Sequence, residues 1–150
     1  MKESRHATVY KRRDSLFIRS SSQTDVGLWL EQGPCTKISY SSSSAAEVGR
    51  ATRDALARSG SIIPHPTVWK SVDVDNPILE AAGIKRWSIF LRGALNVGVW
   101  LEDNQLEVTP TVNEGKEGFS HLDDDAVYLR ADASAEELAV AISKALTRCK

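Results

Sequence analysis

A chain of 150 residues with 41% hydrophobic and 26% charged side chains can remove roughly 70% of its unfolded surface from water, so it needs neither disulfides nor a metal to fold. Its net charge of -1 excludes a generally basic nucleic-acid or membrane-surface binder, although local patches remain open. Two cysteines, Cys35 and Cys149, without CxxC spacing, exclude a disulfide framework and a zinc or dithiol motif, and both are expected as reduced, half-buried thiols.

The start MKESRHATVYKRR lacks the apolar core of a signal peptide, and no apolar run approaches the roughly 20 residues of a membrane span, so a cytoplasmic protein is expected. Ala7 to Arg12 and Ser15 to Ser20 read as a first hairpin turning at Arg13-Asp14. Val9 and Ile18 then share one face, and Tyr10 and Phe17 the other. Lys11, Arg12 and Arg13 make a small basic tip, and SSSQTDVG reads as a polar loop. Leu28–Glu31 and Cys35–Tyr40, parted by Gln32-Gly33-Pro34, suggest two further short strands.

The serine run from Ser39 to Ser44 is most simply a loop that caps a helix: Ser44 stands three before Glu47, the capping-box spacing. Ala45, Val48, Thr52, Ala55, Leu56 and Ser59 share a face, which predicts a helix from Ala45 to Ser59 stopped by Gly60. Pro64 and Pro66 make the SIIPHPTVW segment an irregular connection. Asn76-Pro77 starts a second helix that Gly83 ends, and the spacing of Ile84, Trp87 and Leu91 predicts a short third one closed by Gly93.

From Gly93 to Val112 apolar residues alternate on both sides of Asp103-Asn104, a pair that tolerates the positive φ of a primed two-residue turn. With Glu102 opposite Gln105, the predicted pairs are Leu101/Leu106, Trp100/Glu107, Val99/Val108, Gly98/Thr109 and Val97/Pro110. One face is then apolar; the other carries a lone Trp100 among polar partners, with carboxylates at the tip. Asn113 to Ser120 reads as a loop, His121 to Asp125 as a polar lead-in, and Ala126 to Arg130 as a strand. The last helix repeats the cap, with Ser134 three before Glu137 and a buried stripe of Leu138, Ala141, Ile142, Ala145, Leu146 and Cys149. Helix one and this helix align at an offset of 90 residues, either as a weak internal repeat or as two helices meeting one sheet under like constraints. The whole reads as α+β: one domain, a mainly antiparallel sheet with three to four helices packed against it.

Catalytic signatures are missing. There is no HExxH, GxSxG or GxGxxG, and Val99 and Trp100 stand where a P-loop beginning at Gly93 needs Lys and Ser/Thr. Asp73-Val74-Asp75-Asn76 starts like a calcium loop, but Ile78 and Ile84 replace the required Gly and Glu. His6, His65 and His121 are the candidate acid/base groups. His121, beside Ser120 and two before Asp123, supplies the residue types of a triad without its geometry, and each histidine is expected to be satisfied by a local backbone hydrogen bond.

Charge is segregated. Residues 102–125 hold Glu102, Asp103, Glu107, Glu114, Glu117, Asp123, Asp124 and Asp125 against Lys116, a net of -7, while residues 1–19 carry +4. The acids read either as a solubilising surface or as a docking face for a basic partner, with Trp100 as its aromatic anchor.

GLWL at Gly27, IPHPTVW at Ile63, KRWSIFLRGALNVGVWLEDNQLEVTPTVNEG from Lys85, GFSHL at Gly118 and the ADASAEELAVAISKAL ending together resemble the CdiI immunity proteins of contact-dependent growth inhibition systems. The likeness runs from Val26 to Cys149 and leaves the first hairpin and the basic arm outside it. It implies a bacterial cytosolic inhibitor, without enzymatic activity or cofactor, that binds the C-terminal toxin domain of a cognate CdiA. Such toxins are commonly nucleases with basic clefts, which an acidic face would block. The oligomeric state is left open with a monomer expected, and no direct contact with nucleic acid or membrane is expected. A secretion-type chaperone or a small hydrolase using His121 or His65 are the alternatives.

Overall fold

The computed structural model describes residues 4–67 and 76–150; Trp69 and the Asp73–Asp75 acids lie outside them. Alternating side chains in the first third build three strands, β1 (Arg5–Arg12), β2 (Ser15–Gln23) and β3 (Trp29–Ser39). Helices α1 (Ala45–Arg58), α2 (Asn76–Ala82) and α3 (Trp87–Phe90) follow, and then the hairpin β4 (Leu95–Glu102) and β5 (Gln105–Asn113). The short strands β6 (Phe119–His121) and β7 (Val127–Arg130) lead into the closing helix α4 (Ala135–Arg148). The strands pair antiparallel in the order β3-β2-β1-β4-β5, and β6 and β7 both add to β5, β7 along Gln105–Val108 and β6 along Thr111–Asn113. The expected α+β architecture is thus present.

The central hairpin has the register its alternation demands, from Glu102↔Gln105 to Val97↔Pro110. Asp103 and Asn104 take φ of 53° and 59°, the left-handed pair of a primed turn. The first hairpin pairs Val9 with Ile18 and Tyr10 with Phe17, again on opposite faces. One face of the sheet, with Ala7, Val9, Leu16, Ile18, Val97, Val99, Leu106 and Val108, is buried under α1 and α4. On the other face Tyr10 and Phe17 pack with Ile78, Phe90 and Ala94, under α2 and α3.

Both long helices start as their sequences require. Ser44 accepts from the Glu47 N–H, and Ser134 and Glu137 form the full reciprocal box. They lie on the same side of the sheet and touch each other, and a β-carbon on Gly49 would stand 1.9 Å from the Ala135 carbonyl oxygen. Ala45, placed on the buried face by spacing, is exposed, and Gly49 is buried in its stead because the crossing with α4 needs a residue without a side chain.

Four expectations are corrected. Gln32-Gly33-Pro34 is no turn between strands: β3 runs through it, and the pairing with β2 jumps from Ile18↔Thr36 to Ser20↔Gln32. This is a bulge, with Gly33 at φ +76° and its carbonyl accepting from Arg19 Nε at 2.9 Å. Beyond Ser20, the expected end of the second strand, Ser21 and Ser22 are not loop but buried strand, since β1 and β3 flank them. The third helix spans only Trp87–Phe90, with no side chain capping it at Arg86. Within the expected loop and lead-in, a 3-10 turn over Gly115–Glu117, strand β6 and a 3-10 turn over Asp123–Asp125 are ordered.

Candidate functional site

Because side chains alternate, Trp100 and Glu107 fall on the face opposite the helix-covered core, and the register places them in one row across five strands: Ser21, His6, Trp100, Glu107, Tyr128. Trp100 is therefore not the lone aromatic expected. His6 lies against it at 3.9 Å between ring centroids, and Trp29 meets it edge-on at 5.1 Å. Glu107 is half-buried and accepts from Thr109 Oγ1 at 3.3 Å and from the Tyr128 hydroxyl at 3.5 Å, both at Oε1. Tyr128, 54% exposed, was not singled out by sequence; only its register opposite Glu107 brings it to the site. The neighbouring Glu107 charge, then desolvation and the hydrogen bond to Glu107, and finally Asp123, hold its hydroxyl above the usual phenol range.

The sequence-predicted acids fall in three groups spread along β5 and its flanking turns, together termed the acidic rim. Glu102 and Asp103 sit at the hairpin tip, where Gln105 faces Arg130, and a depression of about 400 Å³ is lined by Asp103, Asn104, Gln105, Tyr128, Leu129 and Arg130. Glu107, Asp123, Asp124 and Asp125 occupy the middle: the Leu122 N–H donates to the Pro110 carbonyl, which sets the Asp123–Asp125 turn between β6 and β7. Glu114 and Glu117 lie past the far end of β5, and Glu114 accepts from the Ser120 hydroxyl. The rim spans about 27 Å along β5 at 3.3–3.4 Å per residue. The basic arm is spent on the fold at several points: Arg5 Nη1 donates to the Leu56 and Ala57 carbonyls, and Lys11 sits over the Tyr40 ring.

The three histidines differ in their surroundings. The Ser120 hydroxyl is engaged by Glu114, so Ser120, His121 and Asp123 are not assembled as a triad. His65 contacts Thr24 and Asp25. His6 departs from expectation: it is only 8% exposed, and neither ring nitrogen has a hydrogen-bond partner among the described residues. Burial, and secondly the nearby His121, lower its pKa to about 3, so it is neutral at physiological pH. Gly98 leaves the space into which these rings lean; a β-carbon there would stand 3.4 Å from His6 Nε2, 3.6 Å from His121 Nε2 and 3.7 Å from Trp100 Nε1. Cys35 and Cys149 are free and half-buried as expected, and burial pushes the Cys35 thiol up to about 11. Among the described residues no group of three His, Cys, Asp or Glu is placed to hold a metal ion, and no helix is long and apolar enough to cross a membrane.

Three comparisons bear on this arrangement. A family model described as CdiI, CDI immunity protein, matches residues 5–149, so the first hairpin, left outside the sequence resemblance, lies within it. A protein of unknown function from Neisseria meningitidis has a similar structure, with a TM-score of 0.81 at 19% identity over 98% of this chain and 96% of that one. So does a chain of the CdiA-CT/CdiI toxin and immunity complex from Yersinia pseudotuberculosis, with a TM-score of 0.78 at 20% identity over 98% of each chain. Curated protein sequences gave no match.

Proposed function

Since the chain belongs to the CdiI family of CDI immunity proteins, we propose that it binds the C-terminal toxin domain of a cognate CdiA in the bacterial cytoplasm and neutralises it by binding, without catalysis. The toxin is inferred to be a nuclease, and the acidic rim to occupy the basic cleft that would otherwise take phosphates, which excludes nucleic acid by charge and by bulk. What supports this reading is the net charge of -7 over residues 102–125, with Glu102, Asp103, Glu107, Glu114, Glu117, Asp123, Asp124 and Asp125 carried on or beside β5 and with Trp100 and Tyr128 on the strands either side of Glu107. Like-signed charge on a fixed edge raises the encounter rate with a basic partner, and aromatic residues with few rotatable bonds supply contact area at low entropic cost.

Stopped-flow mixing of the chain with the toxin domain tests it. Reversing Glu102, Asp123 and Asp124 to Lys should slow association about tenfold or more at low salt, with the difference shrinking as salt rises. Unchanged association would move the interface off this rim.

A further inference from the structure

We propose that Glu107, framed by Trp100 and Tyr128, is the seat of one arginine of the toxin, the guanidinium lying between two aromatic side chains and closing on a carboxylate. This rests on the docking reading above and names its central contact. The row Trp100↔Glu107↔Tyr128 sets the two aromatics on the strands either side of the acid, at the roughly 4.5–5.5 Å separation of directly opposed residues.

The carboxylate is unusual among the rim acids. It is half-buried, and both of its hydrogen bonds come from neutral hydroxyls and converge on Oε1; among the described residues no cation reaches it. A carboxylate partly withdrawn from water without a counter-charge gains from one supplied in trans. Trp100 is already immobilised, stacked by His6 and met edge-on by Trp29, so little side-chain freedom is lost on binding. Tyr128 is exposed, with its hydroxyl 3.5 Å from Glu107 Oε1. The segment Glu102–Asp125 that contains Glu107 carries a net charge of -7 and favours a cation. A flat guanidinium stacks on aromatic rings and still bonds a carboxylate through its edge, whereas an ammonium does the first poorly and the second as a point charge.

Rim charges act on encounter and fade with salt; a partly desolvated pair acts on escape and does not. Glu107→Gln keeps the volume and the accepted hydrogen bonds, so with the purified toxin domain it should raise the dissociation rate at least tenfold at both low and high salt, with thermal unfolding unchanged. Tyr128→Ala should raise it several-fold, while Tyr128→Phe, which keeps the ring, should stay near wild type. One toxin Arg→Lys substitution should lose its effect in the Glu107→Gln background. Unchanged dissociation for Glu107→Gln overturns the seat; if reversal of Asp123 and Asp124 still slows association, the docking rim survives, and if it does not, both readings fall. Coupling of Glu107 to a toxin lysine, or to a second copy of this chain, would overturn the arginine assignment.

Discussion

The two faces of the sheet are built by the same strands and obey opposite rules. Under α1 and α4, positions such as Val9, Val97, Val99, Leu106 and Val108 are apolar and fully buried. One residue along each strand, the opposite face packs Tyr10 and Phe17 under α2 and α3 at one end, and toward the other end carries Thr8, Trp100, Glu107 and Thr109 and holds His6 with both ring nitrogens unpaired among the described residues. The first face maximises stability. The second keeps polar groups that weaken a core, and it is the face proposed above to meet the toxin.

Substitution of adjacent residues breaks the comparison most directly. Leu106→Ala should cost about 2–5 kcal/mol of unfolding free energy, read by urea denaturation, because its neighbours collapse only partly onto the hole. Its folded fraction should bind toxin as before, while Glu107→Gln next to it does the reverse. A loss below about 1 kcal/mol for Leu106→Ala would mean the faces are not so divided.

Gly49→Ala sharpens the comparison on the helical side. In an open helix alanine gains about 1 kcal/mol over glycine. Here the added carbon meets the Ala135 carbonyl at 1.9 Å, so the change should instead destabilise by about 1–3 kcal/mol in thermal or denaturant unfolding. A gain in stability would show that the helices can part at no cost.

His6 probes the polar face through pH. Its folded pKa of about 3 lies below the ordinary 6.5, so between these values the unfolded chain binds a proton that the fold refuses. This contribution to stability is whole above about pH 6.5 and is lost on acidification toward 3, at up to about 1.4 kcal/mol per pH unit. His6→Phe should flatten that slope between pH 6 and 4, and an unaltered slope would place the acid sensitivity elsewhere.

Much of the helix-covered face was legible in sequence, because its signals are local. Alternation around Asp103-Asn104 set the hairpin register, and Ser44 and Ser134 marked the helix starts. The errors arose where distant chain decides. Gly33-Pro34 carries every local mark of a turn, yet pairing with β2 on both sides of it keeps β3 one strand. Ser21 and Ser22 are polar enough for a loop, but β1 and β3 enclose them. The acids of the candidate site could be listed by charge alone. Sequence does not single out Tyr128 and offers His6 only as a candidate acid/base group, since they join Glu107 and Trp100 only through registers linking strands more than 20 residues apart in sequence for one pair and over 90 for the other.

The kink at Gly33 also acts on the outer boundary of the sheet. β3 borders it, and a straight border strand would offer its free amides and carbonyls to an identical strand of another molecule. With the bulge bending the chain there and Pro34 contributing no amide hydrogen, that border presents a broken row, a poor template for filament growth.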